Sequence, residues 1–305
     1  MKVFLVDGTY ELFRHYYGVP SHINAAGEEV GATRGVLGSL LGMLEGGATH
    51  MGVATDHVVE SWRNNAWPSY KSSAGMPADI LSQFQLLEDA LRAIGLVVWP
   101  MVELEADDAL ASAAAVLSED PNADQVLICT PDKDLSQCVR GERVVCLDRR
   151  KGVIVDEAAV RSRFGVGPGS VPDWLGLVGD SSDGYPGLPG WGPKAATAVL
   201  ARYGSIEAVP ADPAAWDVGL PPARAASLGA ALAAEHDKAL LFKHLATCTL
   251  KRDLLPAGTE ALEHLEWRGP ETLGRAGPWG DMCERLEAPS LAERCARLVA
   301  LRNRG

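Results

Sequence analysis

Long apolar runs are missing from this chain. No stretch approaches the roughly 18 consecutive apolar residues that a membrane-spanning helix needs. No secretory leader is expected in MKVFLVDG, which reaches the charged Asp7 too early for an apolar core and reads as a first buried strand. Cysteine is sparse. The six cysteines, at 129, 138, 146, 248, 283 and 295, form no CxxC pair and have no metal-ligand spacing, so they are expected to be reduced and mostly buried in a cytoplasmic protein. Excess positive charge is absent too. The chain has 28 Lys+Arg against 40 Asp+Glu, a formal charge of −12, which argues against a general basic coat for nucleic acid.

What is present is an ordinary globular composition, 47% hydrophobic and 22% charged over 305 residues, enough to enclose a core without disulfides. The negative charge is concentrated. Residues 1–183 hold 14 basic and 26 acidic side chains, a net −12, whereas residues 184–305 hold 14 of each. The first part alternates candidate strands (Val3–Val6, Met51–Thr55, Leu96–Trp99, Val126–Thr130, Val144–Leu147) with helical patterns near 32–45, 79–94, 105–118 and 133–139. That alternation predicts an α/β fold, with a mostly parallel central sheet flanked by helices. From about 150 onward helical patterns dominate, including Ala195–Tyr203, 222–248 and the last 15 or so residues. Residues 1–150 and 151–305 are therefore expected to form two lobes.

Parallel sheets build their sites beyond the carboxyl ends of the strands. Acids recur there: Asp7, Asp56, the group Glu105, Asp107 and Asp108, and Asp132 with Asp134 in TPDKD. Asp180 and Asp183 follow in GDSSDG. Any one of them has a plain explanation as a turn residue or a helix cap. Nine at strand ends are different, since gathered carboxylates repel and need a counter-charge. An all-oxygen set without His or Cys points to Mg²⁺ or Mn²⁺ rather than zinc, and nine acids suit two or more ions. Two such ions about 4 Å apart are the arrangement for metal-assisted phosphodiester hydrolysis.

Two further stretches suit nucleic acid. GYPGLPGWGPK places Gly187, Gly190 and Gly192 in a turn that opens a helix at Pro193, presenting backbone N–H groups and Lys194 to a phosphate. It is not a nucleotide P-loop, because Pro193 splits the Gly-Lys pair and no Ser or Thr follows Lys194. SWRNNAWPSYKSSAGMP sets Arg63, Tyr70 and Lys71 beside Trp62 and Trp67, a mixture that suits single strands or frayed ends. Arg14, one helical stretch after Asp7, could hold a phosphate.

Taken together, VDG with Asp7, Arg14, the Asp56–Arg63–Tyr70–Lys71 stretch, EADD at 105–108, TPDKD at 130–134 and LVGDSSDGYPGLPGWGPKAA at 177–196 closely resemble the 5′-nuclease family of 5′–3′ exonucleases and flap endonucleases. The resemblance implies a PIN-like nuclease lobe and a helical lobe with a helix–turn–helix (H3TH) element at 184–203 that grips duplex DNA, often with K⁺ held by backbone carbonyls. It implies Mg²⁺-dependent 5′→3′ exonuclease and 5′-flap endonuclease activity in replication and repair. On that analogy Asp7, Asp56, Glu105, Asp107, Asp108 and Asp132 gather around one ion, and Asp134, Asp180 and Asp183 around a second, with Asp134 essential for cleavage. Arg14 and Lys71 match residues that contact the scissile phosphate, Tyr70 an aromatic that stacks on the terminal base, and residues 60–80 an arch over the 5′ strand. Two departures stand out: the arch Arg of relatives is absent near Ala74, and Gly184-Tyr185 replaces a usual Asn-Ile. The expectation is a free-standing, monomeric nuclease acting on DNA with 5′ ends or flaps and not on membranes. The competing readings are a related ribonuclease and a non-catalytic DNA-structure binder.

Overall fold

Short β-branched runs and intervening helical stretches form, in chain order, β1 (Lys2–Asp7), α1 (Gly8–Gly18), α2 (Gly31–Glu45), β2 (His50–Asp56), α3 (Trp62–Ala66), α4 (Ala78–Ala93), β3 (Val97–Met101), α5 (Ala106–Leu117) and β4 (Gln125–Cys129). After them come β5 (Val144–Asp148), β6 (Val153–Val155), α6 (Glu157–Phe164), α7 (Val171–Val178), α8 (Pro193–Tyr203), α9 (Pro222–Ala234), α10 (His236–Ala246), α11 (Glu260–Leu265), α12 (Pro278–Arg285) and α13 (Pro289–Arg302). This computed structural model describes residues 1–256, 258, 260–274 and 277–303. Its sheet is mixed and mostly parallel, flanked by helices, and the chain beyond β6 is helical. No helix among the described residues is long and apolar enough to cross a membrane.

The chain divides into two compact units. One contains residues 1–59, 73–130 and 250–305; the other contains residues 60–72 and 131–249. In the first, β3, β2, β1 and β4 lie side by side in that order, all parallel. Val3, Leu5, Val6, Val53, Val126 and Ile128 are fully buried, as expected of strands covered on both faces. The chain steps one way through β1, β2 and β3, then returns past β1 to β4. With the right-handed crossover of parallel units, that reversal puts α5 on the face opposite α4. It also makes the gap between the ends of β1 and β4 a topological switch point, where sites form in such sheets. The register matters here. Asp7 lies beside Ala54, Asp56 beside Met101, and Val6 beside Cys129, so all four carboxyl ends finish at one edge. The terminal helices pack back on this unit: the Arg302 guanidinium donates to carbonyls of Leu44 and Ala48, and Trp267 Nε1 donates to Ile94 O at 2.8 Å.

In the second unit β5 and β6 form an antiparallel pair. Its helical part is built around α7 and α10, which share an ion pair between Asp173 and Lys243 at 2.9 Å. Phe242 of α10 is fully buried beneath Tyr185 and Trp67, with ring centroids 5.4 and 5.0 Å away. Two helical expectations are corrected in detail. Asp134–Cys138 is a single 3₁₀ stretch rather than an α-helix. The helix expected over 222–248 is two, broken where Glu235 leaves helical geometry at φ −121°.

Candidate metal centre

In the first unit, strand ends and one helix start position the acids. Asp7 terminates β1 and caps α1: its Oδ1 accepts the Tyr10 N–H at 2.8 Å, and its Oδ2 accepts the Thr130 hydroxyl at 2.9 Å. Thr130 directly follows β4, so this bond closes the switch point between β1 and β4. Asp56 ends β2. Its N–H donates to Thr9 Oγ1 at 2.8 Å, and its Oδ1 accepts the Ala106 N–H at 2.7 Å. Ala106 is the first residue of α5. Glu105, one residue earlier, forms a capping box with Asp108, whose Oδ2 accepts the Glu105 N–H at 3.0 Å. Glu105 and Asp108 are buried and Asp107 is half-buried. The positive end of the α5 dipole thus faces Asp56, Glu105 and Asp108 and offsets part of their repulsion.

The second unit holds the tightest group. Ligand oxygens of Asp134, Asp180 and Asp183 all lie within 4.8 Å of one another. Asp132 sits beside them, accepting the Asp134 N–H at 2.8 Å. The resemblance assigns Asp132 to the other ion, but its place is in this unit. Burial pushes the Asp134 carboxyl well above the usual carboxylate range. Asp132, Asp183 and Asp180 add to the effect, and Lys133 only partly opposes it. Among the described residues, the Tyr185 hydroxyl is buried without a hydrogen-bond partner, and the buried Asp134 Oδ1 makes no hydrogen bond and meets the Lys133 ammonium at 3.3 Å. Burial, and then the neighbouring carboxylates of Asp134, Asp183, Asp180 and Asp132, also drive the Tyr185 phenol strongly upward. Orphaned buried groups are costly. An all-oxygen donor set with a buried carboxylate oxygen that makes no hydrogen bond fits a hard divalent cation.

Cations border this group. Lys71 Nζ stands 3.4 Å from Asp183 Oδ1, and the Lys71 N–H donates to Asp183 O at 3.1 Å. Lys133, between the two acids of TPDKD, pairs with Asp180 and lies 3.3 Å from Asp134 Oδ1. Burial opposes charge on Lys133, yet Asp134, Asp180 and Asp132 outweigh it and raise its pKa above the ordinary lysine value. Sequence reading passed over Lys133. Its signal was a lone Lys flanked by two clustered Asp.

The other expected site residues are placed as follows. The Arg14 guanidinium is engaged by the buried Glu11 and reaches Ser39 at 3.2 Å. Arg63 is 3% exposed, with Nε donating to Leu245 O at 2.8 Å and Nη2 to Thr247 O at 3.1 Å. It anchors the 60–72 segment to the end of α10, which corrects the expectation of a DNA contact. Tyr70 is buried, with Lys71 Nζ 5.6 Å above its ring. Trp62 packs on His244, and Trp67 Nε1 donates to Gly184 O at 3.0 Å. Gly184 has φ +84°, and a Cβ there would lie 2.0 Å from Ser69 O, so glycine at this position lets the segment close on the turn. In the Gly-rich turn Gly187 and Gly190 have φ +69° and +79°, and Gly192 leads extended into α8, where Lys194 is exposed.

The fold and these carboxylate groups define an α/β protein with a candidate metal centre and a helical second part. Residues 2–165 match the model of the 5′–3′ exonuclease N-terminal resolvase-like domain, and residues 166–272 that of the 5′–3′ exonuclease C-terminal SAM fold. The chain belongs to the 5′–3′ exonuclease family. A 5′–3′ exonuclease of Buchnera aphidicola is 33% identical over 205 residues, covering 67% of this chain and 67% of its own length. DNA polymerase I of Pseudomonas aeruginosa is 32% identical over 229 residues, which cover 71% of this chain; the match spans 24% of the polymerase. Among solved structures, a T5 5′-exonuclease with bound zinc superposes with TM-score 0.64 at 15% identity, over 94% of this chain and 100% of that one. The catalytic core of Rad2 with DNA substrate gives 0.57 at 15% identity, over 98% and 91%.

Proposed function

We propose that the chain is a 5′→3′ DNA exonuclease and 5′-flap endonuclease that uses Mg²⁺, with Mn²⁺ able to replace it. The observation that carries this reading is the Asp134–Asp180–Asp183 group, whose ligand oxygens lie within 4.8 Å of one another, in a chain whose family models cover residues 2–272. Asp132, Asp134, Asp180 and Asp183 would hold one ion, and Asp7, Asp56, Glu105, Asp107 and Asp108 another. When bound, such ions supply a water of lowered pKa and positive charge for the attacked phosphate and the leaving oxygen.

The chain's own residues do the rest. Lys71, held beside Asp183, brings positive charge to the phosphate; Arg14, oriented by Glu11 and Ser39, is its counterpart in the first unit. The Gly187–Gly192 turn, the α8 start and Lys194 act as the H3TH grip on the duplex backbone, giving binding without sequence preference. Backbone carbonyls would hold a K⁺ at that turn, where the Gly190 carbonyl also accepts from Arg224 at 2.6 Å.

The test is a 5′-flap DNA and a matched RNA, each incubated with Mg²⁺ or with EDTA. Cleavage of the DNA in Mg²⁺ alone is expected. Preferred cleavage of RNA would favour a ribonuclease, and metal-independent binding without cleavage would favour a DNA-structure binder.

A further inference from the structure

Lys133 lies where a cation is needed. Its ammonium pairs with Asp180 and stands 3.3 Å from Asp134 Oδ1, two of the three carboxylates whose oxygens lie within 4.8 Å of one another. Asp134 and Asp180 are 7% and 5% exposed, so solvent screens their repulsion poorly. The Lys133 side chain is 28% exposed and rides on a flexible four-carbon stem, so its head can leave the group without moving the backbone. A Mg²⁺ or Mn²⁺ ion bonded at about 2.1 Å to Asp134 Oδ1 and Asp180 Oδ2 would take the oxygens the ammonium now pairs with. An ion drawing on the two oxygens that now face the ammonium would compete with it for them.

We propose that Lys133 is a built-in placeholder cation, holding Asp134 and Asp180 together when no metal is bound and leaving them when a divalent ion enters. It is a positioning residue, acting through the carboxylates. Two consequences follow, both resting on the metal-dependent reading above. The placeholder lowers metal affinity, because the ion must displace it. It also stabilises the metal-free protein, because without it the buried acids face one another uncompensated. A protein poised this way keeps its carboxylates arranged at low metal and loads steeply as metal rises.

The test is Mn²⁺ binding to the full chain, followed by electron paramagnetic resonance of free Mn²⁺, with thermal melts in EDTA and in Mn²⁺. Lys133→Met should bind the ion of this group about tenfold or more tightly, as removal of a unit charge at contact distance implies. Its melting temperature should fall in EDTA and recover in Mn²⁺. Lys133→Arg, which keeps the charge and guards against a variant that does not fold, should bind no more tightly than the parent and should not gain the large Mn²⁺-induced shift. Equal or weaker Mn²⁺ binding by Lys133→Met, or an equal drop in melting temperature with and without metal, would overturn the placeholder role. If the parent chain binds no Mn²⁺, the metal-dependent reading itself falls and this inference with it.

Discussion

Asp56 Oδ1 accepts the backbone N–H of Ala106 at 2.7 Å, joining residues fifty positions apart in the chain. One carboxylate thereby ends a strand, caps a helix and faces the edge where Asp7, Glu105 and Asp108 also finish. The macrodipole that makes it a good cap also makes it tolerable as a charge. The structural role and the proposed metal-binding role coincide in this side chain, and substitutions can separate them.

Asp56→Asn keeps an oxygen to accept the Ala106 N–H but removes the charge. Cleavage of a 5′-flap DNA in Mg²⁺ should be lost while urea unfolding changes little. Asp56→Ala removes both, and should lose cleavage and about 1 kcal/mol of stability. Equal destabilisation by the two variants would refute the separation.

Arg63 gives a sharper contrast between sequence expectation and structure. Arg63→Ala leaves the Leu245 and Thr247 carbonyls without these donors in a buried setting, and should cost roughly 2–4 kcal/mol in denaturant unfolding. The folded variant should keep the salt dependence of DNA binding. A salt slope reduced by about one unit with unchanged stability would instead mark a phosphate contact.

Phe242 packs against Tyr185 and Trp67 beside the candidate metal group. Phe242→Ala should destabilise the chain by about 3–5 kcal/mol. Mn²⁺ affinity should weaken as well, because Tyr185 bridges by backbone hydrogen bonds to Asp180. A purely local loss of packing would lower stability and leave the Mn²⁺ titration untouched.

Acid sensitivity has an identifiable contributor. The Arg285 guanidinium, with Asn24, holds the Glu28 carboxyl at about 2, well below its usual range. A depressed acid pKa adds stability at neutral pH that is lost as pH falls from the ordinary carboxylate value toward 2. Glu28→Gln should therefore flatten the stability–pH curve between about pH 5 and 2. The effect is small, because the pair is more than one-third exposed and screened by solvent. An unchanged slope in that window would remove Glu28 as its source.

Much of the fold was legible because a parallel sheet repeats one grammar: a buried run, an acid, a helix. Val3–Val6 followed by Asp7, and Met51–Thr55 followed by Asp56, reveal both the strand and the edge where it ends. Less legible were side chains whose type suits two environments. Trp62, Arg63, Trp67 and Tyr70 have the mixture expected of a nucleic-acid surface, yet Arg63 and Tyr70 are buried and the tryptophans pack on His244 and Phe242. Local spacing does not report a partner 180 residues away. Lys133 was passed over because a lysine between two aspartates reads as a solvated charge until the fold brings Asp180 to it.

The most direct measurement is a crystal of the full chain soaked in Mn²⁺ and measured at the manganese edge. An anomalous peak about 2.1–2.2 Å from carboxylate oxygens of Asp134, Asp180 and Asp183, with the Lys133 ammonium displaced, is the expected result. Full-occupancy Lys133 still paired with Asp180, and no peak at that group in saturating Mn²⁺, would contradict it.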